Sequence, residues 1–167
     1  MTTNEYNSCV ENFADGIFRF VLKLSHNEAD AKDTVQNVFE KLWKKHAQVQ
    51  FETAKSYLFT SAYRDWIDQT RKIKRMYFSD QLPENGTDEV ATQEFENREW
   101  IEKAFVHLPE IQKSVILLRD YEGYSYEEIA DITGLNLSQV KVYIFRGRKK
   151  MQSALQQTQI SKITTQM

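Results

Sequence analysis

The sequence predicts an all-α protein of two small helical domains, and three observations carry that expectation. Apolar residues recur at helical spacing through nearly every segment, and no segment alternates convincingly as a strand would. Only five Gly and two Pro punctuate 167 residues rich in Glu, Lys, Gln, Leu and Ala, a bias toward helix. The periodicity lapses from Ser79, over SDQLPENGTDEVATQ, where Pro83 and the turn pair Asn85-Gly86 stand among acids. The expected boundaries are a first domain over 1–78, a linker over 79–97, a second domain over 98–158 and a tail over 159–167.

In the first domain Phe13, Ile17, Phe20, Val21 and Leu24 form one apolar stripe. Val35, Val38, Phe39, Leu42 and Trp43 form a second, and Phe59, Ala62, Tyr63, Trp66 and Ile67 a third. A helix with one apolar face needs a partner to bury it, so three stripes predict one bundle.

The second domain resumes helical spacing with Ile101, Ala104, Phe105 and Leu108. Pro109 suits the first turn of the next helix and Gly123 its C-terminal stop. Ser125-Tyr-Glu-Glu128 reads as a capping box, in which the hydroxyl accepts an early backbone N–H and Glu128 reaches back. Gly134 can end that short helix in a left-handed conformation, and Asn136 or Ser138 can cap a longer helix running to about Leu155. Two helices joined around a glycine describe a helix-turn-helix. Ala130, Gly134 and Val140, at i, i+4 and i+10, supply the small, permissive and branched residues that such a corner needs.

Charge is unevenly distributed behind a net value of -2. Arg71 to Arg75 and Lys141 to Lys150 are basic and free of acids, whereas Asp80 to Glu99 is acidic with Arg98 as its one cation. Two basic islands around an acidic strip suggest two surfaces for a polyanion, with solvated faces as the plain alternative. On the second helix of the corner, Val140, Ile144, Gly147, Met151 and Leu155 point inward. Ser138, Gln139, Val142, Phe145, Arg146 and Lys149 face elsewhere, with Lys141 and Arg148 on the flank. A recognition helix meets base edges with its N-terminal residues and phosphates with its cations. Gln139 and Arg146 are therefore candidates for bases, and Arg148, Lys149 and Lys150 for the backbone. On the other island Arg64, Asp68, Arg71, Lys72 and Arg75 share a stripe, with Tyr63 and Trp66 interleaved. Aromatics beside cations suit unstacked bases. Both aromatics also fall on the apolar stripe, so a place in the core competes with that role.

Other function classes find little support. Cys9 is the single cysteine, and His26, His46 and His107 stand far apart, so neither a disulfide framework nor a metal site is expected, and no cofactor. The N-terminus lacks the basic and apolar regions of a signal peptide, and no apolar run approaches the roughly 18 residues of a membrane span. A soluble cytoplasmic protein without membrane insertion is expected. Carboxylates such as Glu127 and Glu128 are explained by capping and solvation, so an enzyme is not.

Three segments then resemble one family, the bacterial sigma factors of RNA polymerase. DAKDTVQNVFEKLWKK, from Asp30 to Lys45, is similar to the polymerase-binding helix of sigma region two. SYLFTSAYRDWIDQTRKIKR, from Ser56 to Arg75, resembles the helix that opens and reads the minus-ten element. The stretch from Leu108 to Gln152 resembles region four, which reads the minus-thirty-five element. The segments follow in family order without regions one and three, the pattern of the extracytoplasmic-function group.

The resemblance implies that the chain binds core RNA polymerase and directs promoter-specific initiation, strand separation included. It implies minus-thirty-five contacts from Ser138, Gln139, Lys141, Val142, Phe145, Arg146, Arg148 and Lys149. Minus-ten contacts would come from Tyr63, Arg64, Trp66, Asp68, Arg71, Lys72 and Arg75. Asp30, Asp33, Gln36, Asn37, Glu40 and Lys41 would bind the polymerase; from the residues alone this polar face reads as solvated. Implied partners are core polymerase, promoter DNA and an anti-sigma factor. Arg64 departs from the family, which usually carries Asn there in A-x-N-x-x-x-D. An ordinary helix-turn-helix regulator with an N-terminal dimerisation or sensing bundle would explain Ser125 to Lys150 equally well. It would not explain the second basic, aromatic helix or the DTVQNVFEKLW segment.

Overall fold

The computed structural model describes residues 1–77, 104–105 and 107–165, with side chains described for 1–72, 104–105 and 107–156. The expected linker, 79–97, lies outside the described residues, as does the stretch to 103. Among the described residues the chain is helical and carries no strand.

Three helices build the first module: α1 (Thr3–Ser25), α2 (Glu28–Lys44) and α3 (Phe51–Tyr77). The start of α1 is a capping box. Glu5 N–H donates to Thr2 Oγ1 at 3.3 Å, and Thr2 N–H donates to Glu5 Oε2 at 2.6 Å. At its end His26 takes a left-handed conformation, φ 54°, which turns the chain directly into Asn27. Asn27 Oδ1 then accepts the N–H groups of Ala29 and Asp30 and starts α2. The three helices pack on one another along the expected stripes: Ile17, Phe20, Val21 and Leu24 against Val38, Phe39 and Leu42, and against Phe59, Ala62 and Trp66, all buried. Trp43 departs from that expectation. It is exposed and packs on the surface between the rings of Tyr6 and His46.

The second module comprises α4 (Glu110–Ile116), a π-helical continuation over Leu117–Tyr121, α5 (Tyr126–Thr133) and α6 (Leu137–Thr165). Pro109 occupies the N-cap of α4, one place before the first turn where it was expected. The π turn closes with Glu122 N–H donating to Leu117 O at 3.1 Å, and Gly123 follows at φ 75°. Both halves of the Ser125–Glu128 capping box form, at 3.1 and 2.7 Å. Gly134 ends α5 at φ 74°, where a side chain would be strained. Asn136 caps α6 in a reciprocal pair, Gln139 N–H donating to Asn136 Oδ1 at 2.8 Å and Asn136 N–H to Gln139 Oε1 at 3.0 Å. Val140 fills the corner between α5 and α6, fully buried.

The modules touch. Tyr124, between Gly123 and the cap of α5, is 3% exposed and lies against α3, edge-on to Phe59 at 5.5 Å between centroids. Lys55 Nζ sits 4.6 Å from the Tyr124 ring centroid and donates to Glu122 O at 3.2 Å. Lys23 of α1 lies 5.2 Å from the Tyr121 ring centroid. Gly16 of α1 makes room for the Glu122 carboxylate, since a Cβ there would stand 3.3 Å from Oε2.

Candidate nucleic-acid interface

The outer surface of α6 is set by what holds its inner one. Val140 and Ile144 are buried against α4 and α5, and Gly147 lets α6 approach α4 so closely that a Cβ would lie 2.5 Å from Ile116 Cδ1. With that stripe fixed, Ser138, Gln139, Lys141, Val142, Phe145, Arg146, Arg148 and Lys149 are all exposed. Two of them are engaged. Gln139 spends its amide oxygen on the helix cap, where it accepts Asn136 N–H. Arg148 is gripped by Asp120 of the π turn: Nε donates to Oδ2 at 3.2 Å and Nη2 to Oδ1. The hydrogen-bonded carboxylate holds the guanidinium further into its charged range. Arg146, Lys149 and Lys150 instead line an open cleft of about 730 Å³ with His107, Ala104 and Gln112. Gln112 Oε1 is buried there without a hydrogen-bond partner among the described residues.

The second surface runs along α3. Arg64, Asp68, Arg71 and Lys72 are exposed, whereas Tyr63 and Trp66 are 6% and 3% exposed. Both aromatics are core residues in this arrangement, as the competing reading held, and their rings lie 6.1 Å apart between centroids. Burial pushes the Tyr63 hydroxyl up, Arg71 draws it part of the way back, and Glu110 of the second module adds to the rise. The side chain of Arg75 lies outside the described residues. A cleft that the sequence did not disclose opens beside Arg64. Its volume is about 340 Å³, and Gln48, Ser56, Tyr57, Thr60 and Ser61 line it with Arg64. It exists because the turn after α2 folds back over the first turns of α3, a juxtaposition without a spacing signal.

The polar face of α2 is a third surface. Asp33, Gln36, Asn37, Glu40 and Lys41 are exposed and Asp30 is half-buried. Lys41 Nζ donates to both carboxylate oxygens of Asp65 on α3, at 2.5 and 2.7 Å, and Glu40 pairs with Lys44. The Lys44 partner holds the Glu40 carboxyl below its ordinary value. Asp33, Gln36 and Asn37 form the centre of this face. Among the described residues no helix is long and apolar enough to cross a membrane.

Comparison with known proteins assigns a class to this arrangement. Residues 9–76 match the family model for sigma-70 region 2, and residues 98–151 match that for sigma-70 region 4. RNA polymerase sigma factor SigV of Bacillus subtilis is 28% identical over 155 residues, 92% of this chain and 93% of that protein. The ECF RNA polymerase sigma factor SigE of Mycolicibacterium smegmatis is 29% identical over 160 residues, 90% of this chain and 61% of that protein. Among solved structures, the sigma factor RpoE in complex with the anti-sigma factor NepR from Bartonella quintana superposes with a TM-score of 0.79, at 24% identity. It covers 92% of this chain and 98% of its own. CnrH in complex with the cytosolic domain of CnrY gives 0.65 at 19% identity, over 90% and 87%. The two family matches, one on each module, identify sigma-70 regions two and four in this chain. The chain belongs to the extracytoplasmic-function (ECF) sigma factors, regulatory subunits of transcription initiation by RNA polymerase.

Proposed function

We propose that the chain docks on core RNA polymerase through Asp33, Gln36 and Asn37 of α2, with Asp30, Glu40 and Lys41 around them, and carries it to promoters through two DNA contacts. The observation that carries this reading is the pair of exposed cationic surfaces, one on each module, each built on a firmly packed helix. The outer face of α6 enters the duplex of the minus-thirty-five element. Its cations displace condensed counterions, so binding weakens steeply with salt. The exposed stripe of α3 follows an unpaired strand at the minus-ten element. Arg71, Lys72 and Arg75 meet phosphates and Asp68 lies among them, while the cleft at Arg64 offers hydroxyls, an amide and the Tyr57 ring to one unstacked base. Capturing unpaired bases favours the melted promoter over the closed one, and this is binding work that needs no nucleophile or metal. Tyr63 and Trp66 are buried in the core and take no part in this surface as it stands. RpoE and CnrH are bound to NepR and CnrY in the solved complexes. A comparable anti-sigma partner is proposed for this chain, acting in the cytoplasm where the polymerase works.

The test is transcription in vitro with purified core polymerase and a promoter library. Promoter-dependent transcripts are expected, and their absence together with a lack of core binding would return the chain to an ordinary helix-turn-helix regulator. The surfaces should also separate. Arg146→Ala with Lys149→Ala is expected to weaken promoter binding and spare core binding, while Asp33→Ala with Gln36→Ala does the reverse. A shared defect would count against distinct surfaces.

A further inference from the structure

The open cleft beside α4 and α6 combines a cationic wall with a buried polar group. Its volume is about 730 Å³, within the size range of small-molecule sites. Arg146, Lys149 and Lys150 line it from α6, all three exposed. No carboxylate among the described residues pairs with them. Arg146 and Lys150 are one turn apart, about 6 Å along the helix, close enough to hold one polyanionic group together. Ala104 and Leu108, each 5% exposed, add apolar surface.

The polar group is Gln112 of α4. It is 7% exposed, and its Oε1 has no hydrogen-bond partner among the described residues. The side chain is fixed at the seam of the two helices, its Cβ 3.4 Å from where a Cβ on Gly147 would stand. Packing alone would favour an apolar residue there, as at Ile116 one turn on, because a buried acceptor left unpaired weakens a fold. The carboxamide oxygen is suited instead to a donor on a ligand.

A ligand that matches this cleft has a hydrogen-bond donor at one end and several negative charges at the other. Phosphates suit the cations, Arg146 through its planar fork and the lysines as point charges. The backbone of a DNA duplex offers the charges alone, since its phosphates and deoxyriboses carry no N–H or O–H for Oε1. A nucleoside polyphosphate offers both, together with flat apolar base faces for Ala104 and Leu108.

We propose that the cleft binds a nucleoside di- or triphosphate, the base donating to Gln112 Oε1 and the phosphates held by Arg146, Lys149 and Lys150. Arg146 and Lys149 are also candidates for DNA contact, so the bound nucleotide competes with promoter DNA. That competition rests on α6 being the helix that enters DNA; the site itself does not.

The test is calorimetric titration of the full chain, at constant ionic strength, with each of the four ribonucleoside triphosphates. Inorganic triphosphate serves as the probe that has the charge and lacks the base. At least one nucleotide is expected to bind about tenfold more tightly than inorganic triphosphate, the effect of satisfying one buried acceptor. Gln112→Met removes the acceptor and keeps the unbranched shape. It should bind both probes alike, melt no lower than wild type and bind duplex DNA as wild type does. Gln112→Leu repeats the comparison with a second shape. The preferred nucleotide should displace a labelled duplex from wild type, and about tenfold more of it should be needed with Gln112→Met. Equal affinity of wild type for inorganic triphosphate and every nucleotide would reduce the cleft to a general anion patch and overturn the proposal. So would a nucleotide preference that survives both Gln112 substitutions, or nucleotide binding that leaves duplex affinity unchanged. Each of these results leaves salt-dependent duplex binding standing. A wild type that binds no duplex would instead sink the DNA reading, and the calorimetric comparison would still decide the site.

Discussion

Arg148 and Lys149 are adjacent in sequence and equally basic, yet the fold places them in different electrostatic company. Arg148 turns its Nε–Nη2 edge to Asp120, so its charge is already compensated within the molecule. Lys149 is exposed on the open side of α6 beside Arg146. Helical spacing makes both of them phosphate candidates, because it reports which face a residue occupies and says nothing of a counter-charge contributed 28 residues away. The expected consequence is a difference in counterion release. Lys149→Ala should reduce the slope of log K against log salt by about 0.9, the value of one phosphate contact. Arg148→Ala should leave the slope nearly unchanged. The exposed Asp120 pair should contribute less than about 1 kcal/mol to stability, so the two variants remain comparable as folded proteins. Equal reductions in slope would show that Arg148 leaves Asp120 for the DNA.

At the level of elements, local chemistry was legible and long-range geometry was not. Ser125, Glu128 and Gly134 could be read because capping boxes and left-handed stops act within four residues, and the structure forms each of them. Ser125→Ala should therefore destabilise the second module by about 1 kcal/mol, measured by chemical denaturation. An unchanged midpoint would mean that packing on α6 holds α5 without its cap. The π turn at Leu117–Tyr121 had no comparable signature, because an i→i+5 bond requires the surroundings to stabilise it. Its effect is nonetheless large: it places Asp120 for Arg148, and Arg119, whose Nη1 donates to Tyr124 O at 2.7 Å. The three stripes of the first bundle were readable down to individual residues, with Trp43 the exception. A surface aromatic stacked on its own helix end has the same spacing as a core one. The cleft at Arg64 was illegible for a related reason, since its walls come from a turn and a helix that meet only in three dimensions.

For the whole molecule, the contact between the modules is what no segment could announce, because it joins Phe59 of one stripe to Tyr124 of a turn in the other module. It forms where Glu122 and Tyr124 enter the surface of α1 and α3, and its electrostatics are unfavourable in one respect. Burial raises the Glu122 carboxyl above its ordinary value, Lys55 and Arg19 draw it back, and Asp15 raises it again. Burial is the largest of these influences, so docking favours the protonated form. A carboxyl raised on folding contributes stability that is fully present below its unfolded value, near 4.5, and is lost as the pH climbs through the folded value. At neutral pH the charged carboxylate therefore opposes the docked arrangement, partly offset by the neighbouring cations. Glu122→Gln removes that opposition while keeping the shape that Gly16 accommodates. The variant should melt at a higher temperature than wild type at pH 7. The gap should narrow through the weakly acidic range and close below about pH 4, where the wild-type carboxyl is itself neutral. Thermal melts of the two proteins across that range decide the matter. A wild type that is the more stable at pH 7 would show that Lys55 and Arg19 outweigh burial, making Glu122 a link between the modules.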